Sequence, residues 1–192
     1  RGVSYCATCD GPLYRDKILA VVGGGNAAID EALFLTRFAQ KVIVIHRRDE
    51  LRAERILQER AFANSKIEFM WSSVVTEIEG GEFVEQLTVK DVKSGESRPV
   101  PVGAVFVSIG MQAAVDFLPA EVERDEAGFI VTDRQMRTSV PGLFAAGDIV
   151  SGSPRQITTG VGEATTAVIY AQEYLDNMVS PEAEKAKRPD GQ

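Results

Sequence analysis

Three consecutive glycines, Gly23-Gly24-Gly25, constrain this chain more than any other feature in it. They stop an apolar, partly β-branched run at residues 18–22. Helical spacing follows at once, with Ala28, Ile29, Ala32 and Leu33 on one face. A second β-type run occupies residues 42–45. Strand, glycine turn, helix and strand make one βαβ unit, and Gly23, Gly25 and Ala28 stand in it with the spacing G-x-G-x-x-A. The first small residue permits the tight turn, the second lets a pyrophosphate reach the backbone, and the alanine lets helix and strand pack closely. A helix beginning near Asn26 and Ala27 aims free N–H groups and its positive end at that phosphate.

The end of the second strand narrows the nucleotide. An NAD-binding unit usually carries an acidic residue there for the ribose 2′-hydroxyl. This sequence has His46-Arg47-Arg48 instead, and Arg52 one helical turn later. Guanidinium groups at that place suit a 2′-phosphate, so the expected nucleotide is NADP(H). A solvated basic edge is the other reading of the same arginines. It is the weaker one in a chain whose formal charge is −7.

That acidic balance argues against non-specific nucleic-acid binding and against docking on anionic membranes. No apolar window approaches the length needed to cross a bilayer. The opening RGVSYCATCDG has no apolar signal core, so a cytoplasmic location is expected. The chain has 192 residues, enough for one large domain or two small ones with a real core. It opens without Met and its chemistry begins at residue six, so it reads as cut.

Cys6-Ala7-Thr8-Cys9 holds the only cysteines, and Asp10 follows directly. Zinc would need two further ligands, and the single histidine, His46, already belongs to the nucleotide strand. Two buried structural thiols are a second option. The third is a redox-active pair in a reducing compartment, with Asp10 handling the proton as a thiolate forms or leaves. Lying just before a nucleotide-binding strand, such a pair fits a protein that brings nicotinamide reducing power to a dithiol.

Taken together, CATCDG, GGGNAAIDEA and HRRDELRAERIL resemble the bacterial-type, low-molecular-weight thioredoxin reductases, and the likeness covers all but about the last dozen residues. The family implies an α/β fold: a Rossmann-like NADPH-binding domain with an inserted β-meander, plus the C-terminal part of an FAD-binding domain. The expected division is 1–112, 113–179 and a mobile tail at 180–192. A helix is expected after Arg52 to about Phe62, then short strands at 67–71, 74–78, 86–92, 97–102 and 105–109, counted together as the meander. Gly110 closes the last strand and joins the candidate cofactor residues. Departing from the family, Gln112-Ala113-Ala114 stand where a proline and asparagine are common.

Further on, strands are expected at 129–132 and 143–146. By resemblance Gly147 and Asp148 meet the FAD ribityl or phosphate region. Arg155, Gln156 and Ile157 lie beside the flavin and open a helix with Ala164, Ala167, Val168, Ala171 and Leu175 on its apolar face. The second G-x-G-x-x-G of the family's FAD half is absent, so the chain is expected to be a fragment, inactive by itself. For the intact enzyme the resemblance implies NADPH, FAD, a homodimer and thioredoxin or a thioredoxin-like partner. Cys9 then faces the flavin, Cys6 attacks the thioredoxin disulfide, and residues 2–5 and 111–116 connect two rotating domains. The flavoprotein subunit of an alkyl hydroperoxide reductase-like system is a sibling reading, which Pro12-Leu13 leaves open and the HRR cluster opposes. A non-enzymatic NADP(H)-binding module is the third, and it would have no need of Cys6, Cys9 and Asp10.

Overall fold

A strand that is apolar along its whole length must be covered on both faces. Strand β2 (Ile18–Val22) is so covered, with Leu19, Ala20 and Val21 fully buried. The computed structural model describes residues 1–186, and side chains through residue 178. Its chain divides into two units, Arg1–Gly110 and Met111–Gln192.

In the first unit β1 (Val3–Ser4), β2, β3 (Lys41–Ile45), β4 (Ile67–Met70) and β8 (Ala104–Val107) form one parallel sheet in the order β1-β8-β2-β3-β4. Helix α2 (Asn26–Leu35) covers one face, where Ala28, Ile29, Ala32 and Leu35 meet Leu19, Val21, Val42, Val44 and Phe106. Helix α3 (Arg55–Phe62) adds Ala61 to the same cluster. The other face carries β5 (Ser73–Gly80), β6 (Val84–Asp91) and β7 (Ser97–Pro101), an antiparallel sheet in that order. Its Val84, Leu87, Val89 and Val100 interdigitate with Ala20, Ile43, Ile45 and Val105.

Two expectations change here. The inserted meander is three strands and not five, because β4 and β8 pair in parallel with β3 and β2. Residues 2–5, expected as a connector, include an edge strand: Val3 and Ser4 sit opposite Val105 and Phe106, and the Val105 N–H donates to the Gly2 carbonyl at 2.7 Å.

The second unit packs around a small cluster of Val115, Val122, Ile130, Ala145 and Val150. The expected strands at 129–132 and 143–146 do not form. Only isolated bridges appear among the described residues, Ile130 with Arg124 and Val150, and Phe144 with Arg137. Local turns take up the neighbouring amides: Asp125 Oδ1 accepts from Ala127 and Phe129, and Asp133 Oδ1 from Gln135 and Arg137.

Helix α4 (Ile157–Ala186) closes the unit. Of its expected apolar face, Ala167 and Ala171 are half-buried. Tyr174 lies against Gly142 and the Arg137 guanidinium over Tyr170, while Val168 and Leu175 are exposed. The sequence is apolar on more than one side of this helix, so periodicity alone does not choose. Of the tail expected from residue 180, residues 180–186 continue α4 and residues 187–192 lie outside the described residues.

Candidate functional site

The three glycines of the turn differ in what a side chain would meet. Gly23 has φ +152°, and a Cβ there would lie 2.2 Å from the Ser108 carbonyl oxygen and 2.7 Å from Ala28 Cβ. At Gly24 a Cβ would enter the His46 ring at 2.4 Å. At Gly25 it would meet nothing within 4 Å. Crowding inside the turn and open space at its tip are the conditions for a ligand to approach the backbone. Gly25 is the N-cap of α2 and makes no side-chain capping bond, so the opening amides around Asn26 and Ala27 face that space with no intrahelical acceptor.

The segment after β3 is strapped to the same turn. The Arg52 and Ala53 amides both donate to the Gly24 carbonyl, at 2.7 and 3.1 Å. Asn26 takes Glu54 at both ends, its Oδ1 accepting from the Glu54 amide at 2.7 Å and its Nδ2 donating to Glu54 Oε1 at 3.2 Å. Leu51 and Ala53 are buried beneath the strap, and the Ser72 amide donates to the Arg48 carbonyl at 3.0 Å.

The backbone is therefore fastened while the side chains of Arg47, Arg48 and Arg52 remain exposed. No ion pair engages them among the described residues. His46 differs from its neighbours in being 4 % exposed, its ring seated on Gly24 and its Nε2 without a hydrogen-bond partner. Burial holds its pKa below the usual histidine range, and the charges of Arg52, Arg48 and Arg47 push the same way. The strap by Asn26 and the seat at Gly24 are not visible in sequence spacing.

Cys6 and Cys9 are joined by a disulfide across helix α1 (Ala7–Asp10), with Cα atoms 5.3 Å apart. Cys6 is the N-cap, its Sγ accepting from the Cys9 amide at 3.2 Å. Cys9 is exposed and Cys6 half-buried. Asp10 is held by the buried Ser4, whose hydroxyl lies 2.7 Å from Asp10 Oδ2 and also meets the Cys6 amide. Sequence reading missed Ser4, and it missed Glu31 of α2, whose Oε1 accepts from the Ala7 amide at 3.5 Å.

The remaining candidates lie elsewhere. Gly110 ends the first unit with φ +106°. In the second unit Gly147 has φ +84°, donates its N–H to Glu163 Oε2 at 2.7 Å and lies against Gly160 of α4. Asp148 beside it is exposed. Arg155, at φ +55°, lays its guanidinium over Phe129. Gln156 is half-buried and Ile157 exposed at the start of α4. The structure thus gathers Gly147, Asp148 and residues 155–157 at one loop–helix junction. Glu163 and Gly160 belong to it and were not foreseen; glycine and glutamate three residues apart on one helix face were the available sign.

Among the described residues no helix is long and apolar enough to cross a membrane. Residues 1–164 match the family described as pyridine nucleotide-disulphide oxidoreductase. The chain is 46% identical over 178 residues to a thioredoxin reductase of Treponema pallidum, covering 93% of this chain and 58% of that protein. It is 46% identical over 190 residues to the thioredoxin reductase of Listeria monocytogenes, covering 97% and 59%. A crystal structure of thioredoxin reductase from Streptococcus pyogenes superposes with TM-score 0.84 at 49% identity, over 92% of this chain and 58% of that one. The chain therefore spans a little under three-fifths of the length of these relatives.

Proposed function

Because this chain belongs to the pyridine nucleotide-disulphide oxidoreductase family, we propose that it serves an NADPH-dependent flavoprotein disulfide reductase that acts on thioredoxin or a thioredoxin-like protein. The observation that carries the reading is the pairing, within one unit, of an open glycine turn strapped to three exposed arginines with a disulfide on the short helix before it.

The residues present fit the two groups such an enzyme needs. Gly23, Gly24, Gly25, Asn26, Ala27 and Ala28 build a backbone cradle with room at Gly25 for a pyrophosphate. Arg47, Arg48 and Arg52 supply the guanidinium groups for a 2′-phosphate, with His46 locking the strand end that carries them. Asp148, exposed beside the bent Gly147, can accept from ribityl hydroxyls, and residues 155–157 can line a flavin edge. Bound NADPH would supply a hydride, and bound FAD the two electrons that the disulfide needs.

The chain's own residues then act as follows. The Cys6–Cys9 bond accepts two electrons and two protons and becomes a dithiol, and Asp10, oriented by Ser4, relays a proton to or from the pair while solvent supplies the other. Cys6 as thiolate attacks the partner's disulfide, forming a mixed disulfide. Cys9 displaces the partner's thiol and closes the original bond, so atoms and electrons return to the start. A reducing cytoplasm and a homodimer belong to the same proposal.

The test is turnover in the natural full-length protein. NADPH oxidation coupled to thioredoxin reduction is expected, with NADH far poorer and Cys6→Ser or Cys9→Ser inactive. Turnover that survives loss of either cysteine would overturn the reading.

A further inference from the structure

Glu31 is a titratable group that the relay above does not use. It lies on α2 one and a half turns beyond the glycines, and its side chain reaches across to the cysteine helix. There Oε1 accepts from the amide of Ala7, the residue after Cys6. Its other oxygen, Oε2, is shielded from solvent. Burial raises the carboxyl above the usual carboxylate range, opposed by the Ala7 amide and the Ser108 hydroxyl.

Ser108 ties this group to the nucleotide turn. Its carbonyl is the atom against which Gly23 closes, and its amide donates to the Val22 carbonyl at 2.8 Å. Gly23, Ser108, Glu31 and Ala7 are therefore consecutive contacts from the turn to the disulfide.

We propose that Glu31 is a positioning residue for the cysteine pair: it holds the amide beside Cys6 and sets a negative charge there that disfavours the Cys6 thiolate, making the pair more strongly reducing. The physics is that of like charges. A thiolate is favoured by nearby cations and disfavoured by a poorly solvated carboxylate. Disfavouring the thiolate destabilises the dithiol relative to the disulfide, which lowers the reduction potential. The role deepens the redox reading of Cys6–Cys9 and rests on it.

The measurement needs neither flavin nor nucleotide. The chain is equilibrated at pH 8 in buffers of reduced and oxidised dithiothreitol, and the disulfide and dithiol forms are counted by alkylation and mass. A dithiothreitol thiolate attacks one cysteine sulfur, its second thiolate closes the cyclic disulfide, and two electrons pass to Cys6 and Cys9. These take their protons from the reductant and water.

Glu31→Gln keeps an acceptor for Ala7 and removes the charge. It is expected to shift the midpoint ratio about threefold toward the dithiol at pH 8, the effect of a one-unit fall from the ordinary thiol pKa of about 8.5. Iodoacetamide should label the reduced chain faster by a similar factor at pH 7. Glu31→Ala should shift the midpoint at least as far, with thermal melting reporting whether α1 also loosens. A merely structural role predicts rescue: Glu31→Gln like wild type and only Glu31→Ala altered. Unchanged midpoint and labelling in Glu31→Gln overturn the inference alone. A wild-type pair that does not cycle reversibly overturns the redox reading with it.

Discussion

In the Arg1–Gly110 unit every strand of the parallel sheet has a hydrogen-bonded neighbour and both faces are covered. The Met111–Gln192 unit shows only single-residue bridges among its described residues, around five small and medium apolar side chains. All the largest fully buried side chains of the described chain, Phe106 and Leu19 among them, lie in the first unit. On α4, by contrast, Val161, Val168, Ile169, Leu175 and Met178 are more than half exposed. The two candidate sites inherit this difference. The glycine turn stands on a closed core, whereas the junction at residues 147–157 stands on loops and one helix. A cofactor site on the first kind of support is preorganised; one on the second must be ordered as the ligand binds, and that ordering subtracts from affinity.

The sharpest way to break this comparison is to empty the two cores. Phe106→Ala removes a fully buried ring between sheet and helix and is expected to cost about 4 kcal/mol, while Ile130→Ala, in a cluster that can collapse, should cost about 2 kcal/mol. Chemical denaturation followed by tryptophan fluorescence and circular dichroism would separate them. Equal costs would mean that the units are equally consolidated.

Ligand binding tests the same point from the outside. The 192-residue chain by itself is expected to bind NADPH and to hold FAD at least about a hundredfold more weakly, a difference of about 2.7 kcal/mol. Calorimetry with each ligand reads this directly. Yellow protein with stoichiometric flavin would show that the second unit is better built than its packing implies.

Within the first unit, Arg47→Ala and Arg48→Ala should each weaken NADPH by about 1.5–3 kcal/mol, as expected for a charge-assisted contact, and leave NADH nearly unchanged. Titration of both nucleotides against each variant sharpens the assignment. Parallel losses of NADH affinity would instead mark a disturbed turn.

The smallest effect is the pH response of His46. Its folded pKa is depressed, so as pH falls below the ordinary value near 6.5 the unfolded chain takes up the proton first. Stability from this group is complete above that pH and is lost as pH drops toward the folded value. Melting temperatures should therefore decline from pH 7 to pH 5, and the decline should be shallower in His46→Asn. An identical slope in both proteins would remove His46 from the account.

How much of this was legible in the sequence follows the range of the interactions. Residues 18–22 and the start of α2 at Asn26 were readable because apolar runs, glycines and 3.6-residue spacing are local signs. The arginine cluster was readable as charge. The strand expected at 129–132 rests on composition that does favour strands and that at 143–146 on the resemblance, but pairing needs a neighbour, and among the described residues only single bridges supply one. The apolar face expected on α4 is matched only at the half-buried Ala167 and Ala171, because several sides of this helix are apolar. Ser4 on Asp10, Glu31 on Ala7 and Asn26 on Glu54 were not readable at all. Each spans from 6 to 28 residues of chain and depends on how elements cross in space.

The seat of His46 on Gly24 has a consequence for how a protein of this kind can vary. A ring and a missing side chain occupy one volume, so residue 24 accepts no side chain while a ring stands at residue 46. The arginines one and two places further along are bound by no such contract, because only their backbone is fastened. On the proposed nucleotide reading, coenzyme preference can therefore be re-engineered by exchanging the exposed side chains at residues 47, 48 and 52. The glycine beneath the histidine has no such freedom as long as the ring stays.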